Sequence, residues 1–260
     1  MIAPFDAPRL KIERAKKHLH ELESAALAYF SAKPVAIVVE PFPGMDPTKA
    51  HAWIARIRHP VPATLSPIIG DVVHNLRTAL DLLACDLVRV NGKSAKSVYF
   101  PFCDSSAELH AAIKGRNLYR AGADVVRVIE SLKPYKGGNI ALRAIHDMDI
   151  ADKHQALLPV IGAVTTPGGT IHHPGGIFQL PEWSTTVAKD GQIVIGMPAT
   201  TNLPLGTELP ARLLLAFGDG PGFKGRQMLQ FLHELTETAD CVLDTLAALR
   251  PGAAFPTASA

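Results

Sequence analysis

Residues 157–178, LLPVIGAVTTPGGTIHHPGGIF, decide the fold class. Short β-branched runs (Val160, Ile161, Val164, Ile171, Ile177) are punctuated by Pro167-Gly-Gly and Pro174-Gly-Gly. That pattern reads as strands joined by turns. It continues through Val187, Ile193, Val194 and Ile195 to Phe217, with Asp190-Gly and further prolines between the runs. Residues of about 157–218 therefore predict an antiparallel sheet.

Outward from this stretch the periodicity changes. Residues 7–31 carry Leu10, Ala15, Leu19, Leu22, Ala26 and Tyr29 at helical spacing. Two strand-like runs, 35–40 and 50–58, flank the loop PFPGMDPTK and predict a hairpin inserted at 34–59. A second long helix spans about 67–90 and stops at Asn91-Gly92. A short strand at Tyr99-Phe-Pro-Phe102 and helical stretches at 105–115 and 122–132 follow. Asn139 caps a third long helix reaching about Lys153, and a last helix covers about 223–249. Helices and strands are segregated rather than alternating, which predicts an α+β fold of long helices packed with an antiparallel sheet. The expectation is a single domain over 1–260: a helical part to about 156, the β-rich part, and the C-terminal helix.

The 260 residues are 47% apolar and 19% charged, a globular composition. A net charge of +2 gives no bulk attraction to nucleic acid. No apolar run reaches the roughly 18–20 residues of a membrane span, and the N-terminus shows no secretory pattern, so the expectation is a soluble, cytoplasmic protein without a membrane partner. Cys85, Cys103 and Cys241 lack CxxC spacing and read as reduced thiols, Cys85 and Cys241 packed in helices.

The third long helix carries the most information. Leu142, Ile145, Ile150 and Leu157 define an apolar arc at 100° per residue, and His146, Asp149 and Lys153 fall inside it. Burying such groups without partners costs several kcal/mol, so they need partners or a cleft. On the second helix Asp71, His74, Arg77 and Asp81 form a stripe opposite Val72, Val73, Leu76, Leu80 and Leu83, as on a solvated face. If the two helices cross, His74, Arg77 and Asp81 meet His146, Asp149 and Lys153. Bland readings stand beside this one: an architectural network on one helix, a wet face on the other.

His74-Asn-Leu-Arg-Thr-Ala-Leu-Asp81, Phe100-Pro101, Pro134-Tyr135 and Asp152-Lys153-His154 resemble the recurring core of a bacterial protein family of unknown function. In that family an HNLRxxLD helix is followed by an FP strand, a PY turn and a helix ending in DKH. The resemblance covers roughly 9–160 and implies kinship rather than a chemistry.

These residue types suit hydrolysis of a phosphorylated or otherwise anionic substrate, nuclease-like in its acid/base chemistry. His146 is the expected acid or base and Asp149 its orienter. Lys153 and Arg77 would stabilise charge, and His74 would be the second proton-transfer group. Asp81 and His154 would help bind a small anionic substrate or RNA. A non-catalytic binding or regulatory module, its polar cluster structural, is the alternative. A metal-dependent hydrolase is the second alternative. His74, Asp81, His146, Asp149 and His154 are suitable donors, but HExxH is missing and no cofactor is expected.

Other patterns carry less. Arg226 to His233 and Arg14 to His20 loosely match the Arg–His spacing of some helical prokaryotic ribonucleases. Gly218-Asp-Gly-Pro-Gly-Phe-Lys224-Gly-Arg226 reads as a flexible turn rather than a P-loop. His172-His173 reads as loop decoration, and His18 and His20 as solvated. The apolar stripe Met228, Leu229, Leu232, Leu235, Val242, Leu243 and Leu246 is core or the seam of a homodimer.

Overall fold

A computed structural model describes residues 3–45, 50–154, 156–157, 159–173, 176–187, 189–198, 203–218 and 222–249. The chain opens with helix α1 (Asp6–Ser31), whose buried residues Pro8, Ile12, Ala15, Leu19, Leu22, Ala26 and Tyr29 alternate in steps of four and three. That spacing makes a narrow seam, and α2 (Leu65–Val90) lies along it. Leu10, expected in the seam, falls outside it and is exposed, while His18, expected to be solvated, is buried. Strands β1 (Val35–Pro41) and β2 (Ala50–Ile57) between the two helices form the expected antiparallel hairpin.

Helix α2 is the hub of the helical layer. It contacts α1, α5 (Ile140–His154) and α6 (Met228–Ala247), which is why its buried arc is wide enough to take in Arg77. Gly92, at φ +68, closes it with Gly92 N–H donating to Arg89 O. The short helices α3 (Leu109–Gly115) and α4 (Ala123–Leu132) follow. Tyr99–Phe102 is not the strand expected; Phe100 and Phe102 plug the helical core from an irregular segment. Asn139 does cap α5, its Oδ1 accepting the Leu142 N–H at 2.9 Å.

The remaining strands are β3 (Pro159–His173), β4 (Gly176–Thr185), β5 (Gln192–Pro198), β6 (Glu208–Leu209) and β7 (Arg212–Phe217). They form two antiparallel sheets, not one. One has the order β5-β2-β1-β6, so the early hairpin is completed by strands from far along the chain; the other is β4-β3-β7. Pro167-Gly-Gly does not turn the chain: β3 runs through it, with Pro167 opposite Glu182 and Gly169 opposite Leu180. Pro181 has no N–H to donate at the unpaired step, so the ladder tolerates Gly168 at φ +71 there. His172 and His173 consequently end a strand rather than sit in a loop.

The sheets face one another over a second core. Ile37, Val39, Trp53 and Ala55 on the first meet Val164 and Leu180 of the second. Trp53 lies against Phe178 and Trp183 at ring distances of 6.1 and 5.9 Å. Leu213 on β7 touches both this core and the helical one, while Leu215 and Phe217 face the helices. The stripe of α6 is spent entirely inside the helical core, and its exposed residues are Gln230, His233, Glu237, Cys241, Asp244 and Thr245. The expected dimer seam is therefore not available, and Cys241 is exposed rather than packed. That helix begins at Met228, because Phe223–Gln227 folds back on Phe217 instead. No described helix is long and apolar enough to cross a membrane.

Candidate functional site

Helices α2 and α5 bring the two polar stripes together, as their spacing implied, but with different partners. Asp149 does not orient His146. It is buried, its side chain 6% exposed, and it accepts from His74 Nδ1 at 3.1 Å and from Lys153 Nζ at 2.5 Å. The His74 and Lys153 side chains are 56% and 55% exposed. A buried carboxylate thus anchors two half-exposed nitrogen groups.

The reason lies in the rotation of α5. Its buried face is Ala141, Ala144, Ile145, Met148 and Ala151, with Leu142 at its edge. Ile150, expected inside, is 43% exposed, and Leu157 lies beyond the helix. The true arc is turned by about one residue, roughly 100°, from the expected one. His146, Asp149 and Lys153 therefore stand along one border of the buried face and not at its centre.

One turn away, His146 belongs to a different group. Its ring stacks on Phe102, centroids 4.8 Å apart and planes 4° from parallel. The Arg77 guanidinium lies over the same Phe102 ring at 4.8 Å. Arg77 is buried, contrary to the wet face expected. Its Nε–H donates to His146 Nδ1 at 3.4 Å. Its Nη1 approaches Asp81 Oδ1 at 2.6 Å, yet off the line of its N–H bonds, which leaves Nη1 without a hydrogen bond. Asp81, expected to bind substrate, instead accepts the Phe100 N–H at 2.8 Å and fixes the Phe100–Phe102 segment. Burial, then the charges of Arg77 and Arg143, push His146 down to about 4. Its imidazole is neutral near pH 7 and accepts at Nδ1, so the proton sits on Nε2.

Sequence spacing did not single out three participants. Arg143 is buried on α5, donates to Asp147 Oδ1 and Cys103 O, and pairs with Asp104 Oδ1 at 3.1 Å. Its signal was the Asp four residues on, the usual helical ion-pair spacing. Phe102 had no signal, since its role depends on the irregular segment. Asp152 carries a sequence signal only within the DKH motif. Its carboxylate packs against Gly70 of α2, where a Cβ would lie 2.5 Å from the carboxylate oxygen. Burial, then the negative charges of Asp149 and Asp71, push this carboxyl up.

Two cavities flank the helix pair. One of about 580 Å³ is lined by Gly70, Asp71, His74, Asp152 and His154, with Ser66 and Pro67 at the start of α2. The other, about 420 Å³, is lined by Phe102, Arg116, Arg143 and His146 with Asp104 and Glu108. The first-turn Ser66 N–H is already taken by Ala63 O and Pro67 has none, which weakens the helix start as an anion cradle. Among the described residues no three His, Cys, Asp or Glu side chains gather as metal ligands. Of the five donors considered, only His74 and Asp149 touch. The Arg–His spacings do not form pairs: Arg226 binds Glu234, and His233 Nε2 meets Glu23 at 2.6 Å. Set against family models, curated proteins and solved structures, the chain matches none.

Proposed function

We propose that the chain is a hydrolase whose proton-transfer centre is the Asp149–His74 pair at the cavity beside Gly70. One observation carries this reading: a buried carboxylate holds His74 Nδ1 while the rest of the ring stays half exposed at the cavity wall. A neutral imidazole donating from Nδ1 has an acceptor at Nε2, the form a general base needs. Asp152 lines the same cavity and is placed to serve a leaving group as the partner acid. His146, neutral and held between Arg77 and Phe102, becomes a positioning residue. The kinship with the HNLRxxLD and DKH family remains part of the proposal, since His74, Asp152 and His154 all fall on its motifs.

The substrate class is narrowed by charge. Lys153, which shares Asp149 with His74, favours an anion, whereas Asp71 at the cavity wall opposes a doubly charged one. A phosphodiester, with one negative charge, suits this balance better than a phosphomonoester, and it keeps RNA among the substrates. The test compares bis(p-nitrophenyl) phosphate with p-nitrophenyl phosphate and p-nitrophenyl acetate. The diester should turn over, with a loss of about 100-fold or more in His74→Ala and an unchanged melting temperature. No turnover above buffer, or equal rates in His74→Ala, overturns the proposal.

A second reading has its own support. Arg77 and His146 both lie against the Phe102 ring, as in an architectural network of a binding or regulatory module. That module would show no turnover of any of the three esters.

A further inference from the structure

A cavity of about 660 Å³ shares no residue with the two beside α2 and α5. It lies where α1 ends, β1 begins, and the chain passes from β6 in one sheet to β7 in the other. Its size is that of a small-molecule site. Phe30, Val35, Ala36, Leu209 and Leu213 supply apolar wall. Lys33, Arg58 and Arg212 bring three cations to it against one carboxylate, Glu208.

That carboxylate is already committed, because Arg58 Nη2 donates to Glu208 Oε1. Lys33 and Arg212 form no ion pair with any described residue. The cavity wall is therefore apolar with two uncompensated cations. Lys33 is also placed at a cost. It sits just past α1 at φ +48, a conformation glycine adopts freely and other residues only under strain. Glycine would relieve the backbone and take away the cation. The last turn of α1 does not repel an anion strongly, since Ala32 and Lys33 N–H groups cap the carbonyls of Ala28, Tyr29 and Phe30.

We infer that this cavity binds a small amphipathic anion, its single carboxylate or phosphate head held between Lys33 and Arg212 and its apolar body laid on Phe30, Val35, Leu209 and Leu213. Neither the hydrolase reading nor its site is needed for this inference. Charge-assisted contacts to both cations would fix the head, and the apolar wall would select against bare phosphate.

Isothermal titration of the full chain with octanoate, octyl phosphate and octanol tests the idea. Both anions should bind, and octanol at least about tenfold more weakly. Lys33→Glu and Arg212→Glu should each weaken the anions by about tenfold or more, without changing the far-ultraviolet circular dichroism, because both side chains are exposed. Lys33→Gly should weaken them as well while raising the melting temperature, which separates loss of the cation from damage to the fold. Binding of octanol as tight as octanoate, unchanged affinity in the variants, or no heat with either anion overturns the inference. So does binding to phosphatidylglycerol vesicles without binding to the free amphiphiles, which would mark a lipid surface instead.

Discussion

Acidification from neutral pH to about 4 should expose the cost of protonating His146. In the folded chain this ring is pushed down to about 4 by burial and by Arg77 and Arg143, against 6.5 in an unconstrained histidine. Arg116 pushes the same way, and Asp147 opposes them. The unfolded chain therefore takes up a proton before the folded one does. The resulting stability is fully present above 6.5, falls as pH drops towards 4, and levels off once both forms are protonated. At ~1.4 kcal/mol per pH unit, the full linkage is about 3 kcal/mol. The ring is only partly buried, and solvent screening brings the expected figure to roughly 1–2 kcal/mol. Urea midpoints of the wild type and His146→Phe, measured across this pH range, isolate the effect. Phenylalanine keeps the stack on Phe102 but cannot titrate. Carboxylates held low by their partners, such as Glu40 beside Arg56 and Glu23 beside His20, lose stability at acid pH in both proteins and cancel in the comparison. The wild type should lose roughly 1–2 kcal/mol more than the variant. Parallel losses in the two proteins would refute the buried, guanidinium-flanked placement of His146.

Three further outcomes follow from packing. Arg143→Met should cost about 2–4 kcal/mol in urea unfolding, because Asp147 loses its guanidinium and α5 loses its tie to Cys103 and Asp104. Gly70→Ala should leave stability within about 1 kcal/mol, better helix propensity offsetting a displaced Asp152, while lowering diester hydrolysis by about tenfold or more; full activity would show that the close packing of Asp152 is irrelevant to turnover. Gly162→Val should break the β3–β7 pairing, since a Cβ there would lie 2.5 Å from Ala216 Cβ, and size-exclusion chromatography should show aggregated or unfolded protein.

Local pattern was enough for the helices and the early hairpin. The spacing from Leu19 to Tyr29, the cap at Asn139 and the stop at Asn91-Gly92 are properties of neighbouring residues, and each appears where the sequence places it. The buried arc of α5 differs from the one its periodicity predicts because alanines carry little hydrophobic signal: Ala141, Ala144 and Ala151 flank Ile145 and Met148 on the buried face, and exposed Ile150 points away from it. That one-residue rotation is the reason Asp149 meets His74 and not His146.

By itself the sequence determined the α+β class, the main helical spans and the residue types that α2 and α5 bring to their crossing. Those follow from periodicity and capping, which act over a few residues. Only the tertiary structure decided that the hairpin at 35–57 shares a sheet with strands at 192–209, because β pairing across such a separation leaves no local trace. It also decided that Asp149 anchors His74, that Arg77 is buried over Phe102, and that Gly70 makes room for Asp152. Each of these depends on the angle and rotation at which two helices pack, and those are set by side chains distant along the chain.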